Sequence, residues 1–223
     1  MQRREFSISA ATLAAAATGI SALPLLANAQ ATAFQSGSDY LTLAKPVATE
    51  APVGQIEVVE FFWYNCPHCN AFEPMFDAWA KKVPKDVSVR RAPIAFRPDF
   101  EPQQRLYYVL EAMGKVEELH KKVFNAIHVE KQKLGTADQI TAWAEKQGIP
   151  KAKFVEMYNS FSVSTKVRKA TQLQDAYALD GVPALGINGR YFTSGTQAKT
   201  LERSLQVADY LIGQSRQAAK PAK

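Results

Sequence analysis

The chain has only two cysteines among its 223 residues, Cys66 and Cys69, and both lie in the segment FFWYNCPHCN. A disulfide between them would enclose only Pro67 and His68. So small a loop restricts the unfolded chain very little, which makes the pair a poor structural crosslink. The spacing therefore predicts a reactive pair that passes between dithiol and disulfide.

A zinc half-site also uses this spacing, but it needs two further ligands and the chain has no third cysteine. His120 and His128 fall in a predicted helix and show no pattern that would join them to the cysteines. We interpret both histidines as helix-surface residues and predict no metal site.

The residues around the cysteines predict unequal reactivity. A helix predicted to begin at Pro67, a residue tolerated in the first turn, leaves Cys66 just before its N-terminus. Free N–H groups and the helix dipole favour a thiolate there, and His68 adds ring donors. We therefore expect Cys66 to be presented to solvent with a lowered pKa. Cys69 falls on the apolar stripe of the helix, where burial would raise its pKa.

The elements that must position this pair follow from hydrophobic patterning. Residues 56–62 are apolar, β-branched and aromatic, as in a buried strand, and residues 87–96 predict a second strand after the helix. Pro74 is expected to kink the intervening helix. The chain therefore opens its folded part with a β-α-β unit.

The rest of the chain is helical before it returns to strand. Residues 98–180 carry repeated helical patterns, with a capping box at Thr136 and Gln139 and a helix end at Gly181. Asn188-Gly189 predicts a two-residue hairpin within residues 183–192, and residues 196–213 predict a closing amphipathic helix.

This order of elements predicts an α/β protein with a thioredoxin-like fold and an inserted all-helical subdomain. The thioredoxin-like domain would be discontinuous, over residues 30–97 and 166–213, with the helical insertion at 98–165. Residues 214–223 are polar and without periodicity, and we expect a flexible tail there.

The N-terminus has the pattern of a secretory signal peptide over residues 1–29. Arg3 and Arg4 precede an apolar stretch, and Ala27-Asn28-Ala29 forms a small-x-small cleavage site. The arginine pair also fits a twin-arginine signal. A membrane anchor is disfavoured by the small residues and by Pro24. The remaining net charge, +5 after removal of two basic residues and one acidic one, is too diffuse to indicate nucleic-acid binding.

Several of these features together resemble the DsbA family of periplasmic thiol:disulfide interchange proteins. The resemblance runs over about residues 50–213 and is carried by the segments Glu60-Phe61-Phe62, Cys66-Pro67-His68-Cys69 and Gly181-Val182-Pro183-Ala184. It implies that Val182 and Pro183 lie beside the cysteine pair, joined by a cis peptide, and bind extended substrate. It also implies that Pro67 and His68 tune the redox pair.

Glu60 matches the buried acid of that family, which would assist proton transfer to or from Cys69. The alternative is an exposed residue at a sheet edge. A buried acid in an apolar strand needs a partner, and Arg91 on the neighbouring strand is the candidate we favour.

The resemblance implies a disulfide oxidase that donates its Cys66–Cys69 disulfide to reduced, unfolded exported proteins in the periplasm. It would need no bound cofactor, would act as a monomer, and would be reoxidised by a quinone-linked inner-membrane partner of the DsbB type. Two alternatives stay open. One is a periplasmic reductase or isomerase, although residues 30–54 are too short for the dimerisation domain that such isomerases carry. The other is a chaperone-like peptide binder. The role of Trp63-Tyr64-Asn65 is not predicted.

Overall fold

The computed structural model describes residues 34–219. Five strands form one mixed sheet in the order β1-β5-β4-β2-β3. They are β1 (Leu41–Thr42), β2 (Ile56–Phe62), β3 (Val87–Pro93), β4 (Ala184–Ile187) and β5 (Tyr191–Ser194). β2 is parallel to β3 and antiparallel to β4, and β5 is antiparallel to β4 and β1. The predicted signal peptide lies outside the described residues.

Seven α-helices and one short 3₁₀ turn (Pro98–Phe100) accompany the sheet in the described part of the chain. The helices are α1 (Pro67–Ala80), α2 (Glu101–Ala112), α3 (Val116–His128), α4 (Ala137–Lys146), α5 (Lys151–Tyr158), α6 (Phe161–Ala176) and α7 (Leu201–Ala218). None of the helices between residues 34 and 219 has the length and apolar character to cross a membrane. The α/β class and the thioredoxin-like fold with a helical insertion are confirmed.

β2 is the strand that delivers the cysteine segment. All seven of its residues are buried, because β3 and β4 flank it and both of its faces pack within apolar clusters. It leads directly into α1, as predicted, and α1 continues through Pro74 as a single helix. The second predicted strand is shorter than expected and ends at Pro93, because its partner β2 ends at the paired residue Phe62.

The hairpin between β4 and β5 turns at Asn188-Gly189, as predicted. Both residues have positive φ, 51° and 63°, which is the geometry of the tight turn that matches strand twist. A Cβ at Gly189 would fall 1.9 Å from the carbonyl oxygen of Val47, so only glycine fits. The N-terminal segment is thereby held against the hairpin.

The bounds of α6 and α7 differ from prediction. α6 ends at Ala176, before Gly181. α7 begins later than predicted, at Leu201, and extends to Ala218, so residues 214–218, which we expected in the flexible tail, are helical. α7 continues because Val207, Leu211 and Ser215 keep its inner face buried beyond the clear apolar pattern. α6 also runs unbroken across residues 165 and 166, where we placed a domain boundary. The division into domains remains a prediction.

The predicted capping box at α4 is half formed. The Thr136 hydroxyl accepts a hydrogen bond from the Gln139 N–H, but the Gln139 side chain accepts from Gly135 N–H. α2 to α6 enclose a large apolar core that also contains Phe62, Tyr64, Cys66 and Cys69. The cysteine pair therefore packs with α2 to α6, which we call the helical block.

Candidate active site

Cys66 lies at the junction of β2 and α1. It is the N-cap residue of α1, with extended backbone, and its carbonyl accepts the first helical hydrogen bond from Asn70 N–H at 3.1 Å. Pro67 follows at the first helical position, as predicted. Both cysteines of the chain are free, so the geometry is that of the dithiol.

The two thiols differ in their surroundings. Cys69 is fully buried, as expected from its place on the helix stripe. Cys66 is only 8% exposed, so the prediction that it is presented to solvent is wrong. The carbonyl oxygen of Val182 covers it and accepts a hydrogen bond from its thiol at 3.4 Å.

The surroundings lower the pKa of Cys66 from 9.0 to about 6. A hydrogen bond from the Cys69 thiol contributes most, and partial burial opposes it. The N–H groups of Cys69 and His68 and the charge of His68 follow, so the predicted effects of the helix start are present but smaller. Burial raises the pKa of Cys69 well above 9.0, and its neighbour Cys66 raises it further. One thiol is poised to ionise and the other to stay protonated.

The Val182–Pro183 peptide is cis, as the resemblance implied. Its Val182 carbonyl contacts the Cys66 sulfur, which brings the two predicted segments together although 116 positions separate them. Pro67 and His68 are exposed beside the same thiol. An attacking group reaching Cys66 would therefore pass between the start of α1 and the Val182 backbone.

Glu60 is 1% exposed, and the alternative of an exposed edge residue is wrong. Arg91 lies opposite it in the β2–β3 register and donates from Nε to Glu60 Oε2 at 2.9 Å, so the predicted pairing is confirmed. Burial, followed by the charge of Glu73, raises the pKa of Glu60 to about 8. The charge of Glu60 also contributes to the raised pKa of Cys69.

Three polar residues near the site were not predicted to belong to it: Tyr64, Glu73 and His120. Glu73 is 4% exposed and accepts from Arg91 Nη2 at 2.7 Å. His120 is 4% exposed, and its Nδ1 lies 2.8 Å from the Tyr64 hydroxyl. Spacing carried the missed signal: Glu73 lies four residues after Cys69, and His120 falls within the apolar stripe of α3.

Both histidines of α3 contact the segment before Cys66. The prediction that His120 is a surface residue is wrong, since it packs among Phe62, Tyr64 and Phe124. His128 is partly buried, and its Nε2 lies 2.8 Å from the Tyr64 carbonyl oxygen. α3 thus holds Tyr64 through both its hydroxyl and its backbone.

Trp63 lies on the other side of the segment. Its ring stacks on Phe100 at a centroid distance of 3.7 Å, and the Arg97 guanidinium lies 4.7 Å from the Phe100 ring centre. Phe100 belongs to the 3₁₀ turn at the start of the helical block. Trp63, in the segment before α1, and Phe100, just before α2, therefore build this aromatic surface together.

Among residues 34–219, no three His, Cys, Asp or Glu side chains are grouped as metal ligands. A cavity of about 630 Å³ lies between residues 47–50 and α6, but neither cysteine lines it.

A mixed sheet, a helix that starts at a Cys-x-x-Cys pair of opposed acidity, and a backbone carbonyl over the reactive sulfur define a thiol:disulfide oxidoreductase of thioredoxin-like fold. A family model, the DSBA-like thioredoxin domain, matches residues 57–206. The chain belongs to the DsbA family.

Curated relatives and solved structures agree. The thiol:disulfide interchange protein DsbA of Bordetella pertussis is 45% identical over 205 residues, covering 92% of this chain and 95% of the relative. That of Pseudomonas aeruginosa is 41% identical over 192 residues, covering 86% and 90%. The crystal structure of Pseudomonas aeruginosa DsbA superposes with a TM-score of 0.79 at 40% identity, covering 83% of this chain and 96% of that one.

Proposed function

We propose that this oxidoreductase works as a disulfide donor in the periplasm, exported by residues 1–29. Its substrates would be reduced, unfolded exported proteins. The observation that supports this direction is the lowered pKa of Cys66 beside the raised pKa of Cys69. A group that stabilises the Cys66 thiolate stabilises the dithiol form, and so makes the disulfide a better electron acceptor.

The transfer takes two steps. A substrate thiolate attacks the Cys66 sulfur of the disulfide form, and the bond to Cys69 breaks, with Cys69 as leaving group. The second substrate thiolate then attacks the substrate sulfur of the mixed disulfide and releases Cys66 as thiolate. The substrate is oxidised by two electrons and the protein is left as the dithiol.

Each proposed site residue has a place in this scheme. Cys69 leaves as a buried thiolate and requires a proton. We assign Glu60 as the donor, because its pKa of about 8 keeps it protonated at neutral pH. His68 and the first-turn N–H groups hold the Cys66 thiolate. Pro67 starts the helix that presents those groups.

Val182 and Pro183 are proposed to bind the substrate backbone. Because the Val182 carbonyl already lies against the Cys66 sulfur, an extended peptide linked to that sulfur would run alongside residues 182–183. The adjoining Trp63–Phe100 stack offers an apolar surface for side chains of an unfolded chain. We also propose a quinone-linked membrane partner of the DsbB type as reoxidant, no bound cofactor, and action as a monomer.

The equilibrium redox potential of the Cys66–Cys69 couple tests the direction. A folded pKa of about 6 stabilises the dithiol at pH 7 by about 1.4 kcal/mol before solvent screening and by about 1 kcal/mol after it, which corresponds to about 20 mV. In a glutathione buffer poised at about −220 mV, a disulfide donor is largely reduced, whereas a reductase with thioredoxin's potential of about −270 mV stays largely oxidised. Alkylation of free thiols measures the ratio, and an oxidised protein there would refute the proposal.

A further inference from the structure

Three buried residues and one partly buried arginine form a continuous charged cluster from β2 to α3, and we call it the Glu60–His120 cluster. Its members are Glu60, Arg91, Glu73 and His120. The Arg91 guanidinium donates to Glu60 Oε2 at 2.9 Å and to Glu73 Oε1 at 2.7 Å. Glu73 Oε2 in turn lies 3.3 Å from His120 Nε2.

The charges of the cluster do not balance without a proton. Two carboxylates outnumber one guanidinium, which stays charged at all working pH values. In a buried setting an uncompensated charge is costly, so the cluster retains one exchangeable proton. Glu60 is one place for it, because burial and Glu73 raise the pKa of Glu60.

The other end of the cluster offers a second place. Glu73 Oε2 and His120 Nε2 face each other, and neither makes a hydrogen bond within the described part of the chain. In the neutral ring, a proton on Nε2 faces Glu73 Oε2, and Nδ1 accepts from the Tyr64 hydroxyl. An additional proton then goes to Nδ1, and the charged ring pairs with the Glu73 carboxylate. The Tyr64 hydroxyl, 2.8 Å from His120 Nδ1, can donate or accept and so suits either form of the ring. Burial lowers the pKa of His120, and the Glu73 carboxylate opposes this. A further negative charge in the cluster, on Glu60, would also favour the protonated ring.

This second place communicates with solvent. A cavity of about 80 Å³, large enough for water, is lined by Glu73 and His120 together with Asp77, Lys81, Glu117 and Lys121. Lys121 and Lys81 both pair with Asp77, at 2.5 and 3.0 Å. Tyr107 of α2 is the remaining titratable group against the His120 ring, and burial raises its pKa so that it stays neutral.

We propose that His120 and Glu73 are positioning residues that form the solvent end of a proton store, taking up a proton from the cavity when Glu60 gives one to Cys69. This inference rests on the proposed function. In the transfer step the Glu60 carboxyl loses its proton to the Cys69 thiolate, which becomes a thiol. His120 then gains one proton from water, so the cluster stays neutral throughout.

The chain supplies a matched control, because α3 carries both histidines. His120→Gln removes the proton site, while His128→Gln changes a residue that contacts the Tyr64 backbone but not Glu73. The disulfide form of each variant is mixed with a synthetic peptide carrying two thiols, and its reduction is followed from pH 5.5 to pH 8. Ionisation of the peptide thiols affects the parent and the variants equally. The ratio of variant rate to parent rate therefore reports only the pH dependence that the substitution changes.

At pH 5.5 solvent protons restore Glu60 directly, and the ratio for His120→Gln should be near one. At pH 8 the ratio should fall about tenfold, the factor that corresponds to a change of one unit in the pKa of Glu60. His128→Gln should give a ratio that does not vary with pH. A ratio for His120→Gln that is equally low at both pH values would show a merely structural role and overturn the proposal.

A second measurement does not depend on the folding of a His120 variant. The His120 ring is titrated by NMR in the parent protein and in Glu60→Gln, which keeps an oxygen for Arg91. As the pH falls through about 8, the parent cluster takes up one proton that Glu60 and His120 share, so the His120 ring should show a first step there. This step should be absent from Glu60→Gln, and the His128 signals should stay in place. A His120 titration that is the same in both proteins would refute the coupling. Both measurements remain valid if the redox potential fails to fit a disulfide donor, so the two proposals fail separately.

Discussion

Replacement of Cys66 by serine should remove a pH-dependent part of the stability of the dithiol protein. The Cys66 pKa is lowered from 9.0 in the unfolded chain to about 6 in the folded protein. The thiolate is therefore favoured by folding. This contribution is fully present above pH 9 and is lost as the pH falls through 6.

The size of the effect follows from the two pKa values. At pH 7 the folded protein gains about 1.4 kcal/mol from ionisation of Cys66, and at pH 5 it gains almost nothing. Cys66 is 8% exposed and its neighbours Pro67 and His68 are exposed, so solvent screening reduces the expected difference to about 1 kcal/mol. The disulfide form has no such thiolate and should not show this dependence.

Urea unfolding under reducing conditions, followed by tryptophan fluorescence, measures the free energy of unfolding of parent and Cys66→Ser from pH 5 to pH 8. The free energy of unfolding of the parent, relative to that of Cys66→Ser, should rise by about 1 kcal/mol between pH 5 and pH 7. All other titrating groups are common to both proteins and cancel in the difference. A difference that is constant with pH would mean that Cys66 has an ordinary pKa, and the argument for an oxidising couple would lose its basis.

Three further outcomes are expected. Cys69→Ala should raise the pKa of Cys66, seen in the thiolate absorbance near 240 nm, because the Cys69 thiol contributes most to lowering it. Arg91→Met should destabilise the protein by about 3–5 kcal/mol in urea unfolding, since it leaves two buried carboxylates unpaired; a loss under 1 kcal/mol would contradict this. Gly186→Ala should cost about 1–3 kcal/mol, because its Cβ would lie 2.5 Å from a tyrosine ring, whereas Gly213→Ala, in open space on α7, should stabilise by up to about 1 kcal/mol.

Sequence patterns predicted the parts of the fold that depend on local chemistry. β2 was predictable because it is apolar throughout, and the hairpin because Asn188-Gly189 suits positive φ at both positions. The division of the cysteine pair into an acidic and a buried thiol was predicted from helix position and His68, although the Cys69 thiol contributes most to the lowered pKa of Cys66. Covering of Cys66 by Val182 was not predictable from position, since it depends on how a distant segment folds back.

The Glu60–His120 cluster shows why the polar part of the site was only half predicted. Glu60 and Arg91 were paired correctly, since neighbouring strands place them side by side. Glu73 and His120 interrupt apolar stripes, and such residues usually lie at the edge of a buried face. Here Glu73 of α1 pairs with Arg91 of β3 and faces His120 of α3, so both residues remain buried. Only the packing of α3 against α1 brings them together.

Cys66 and Cys69 pack in the apolar core of α2 to α6. The stability of the helical block and the redox state of the cysteine pair are therefore thermodynamically linked. Any substitution within that core that weakens the dithiol and disulfide forms unequally must change the reduction potential by the same free energy, about 30 mV for each 1.4 kcal/mol. Positions far from the sulfur atoms, such as Leu110 or Trp143, are therefore routes by which the oxidising strength of this protein can be adjusted without altering the residues at its thiols.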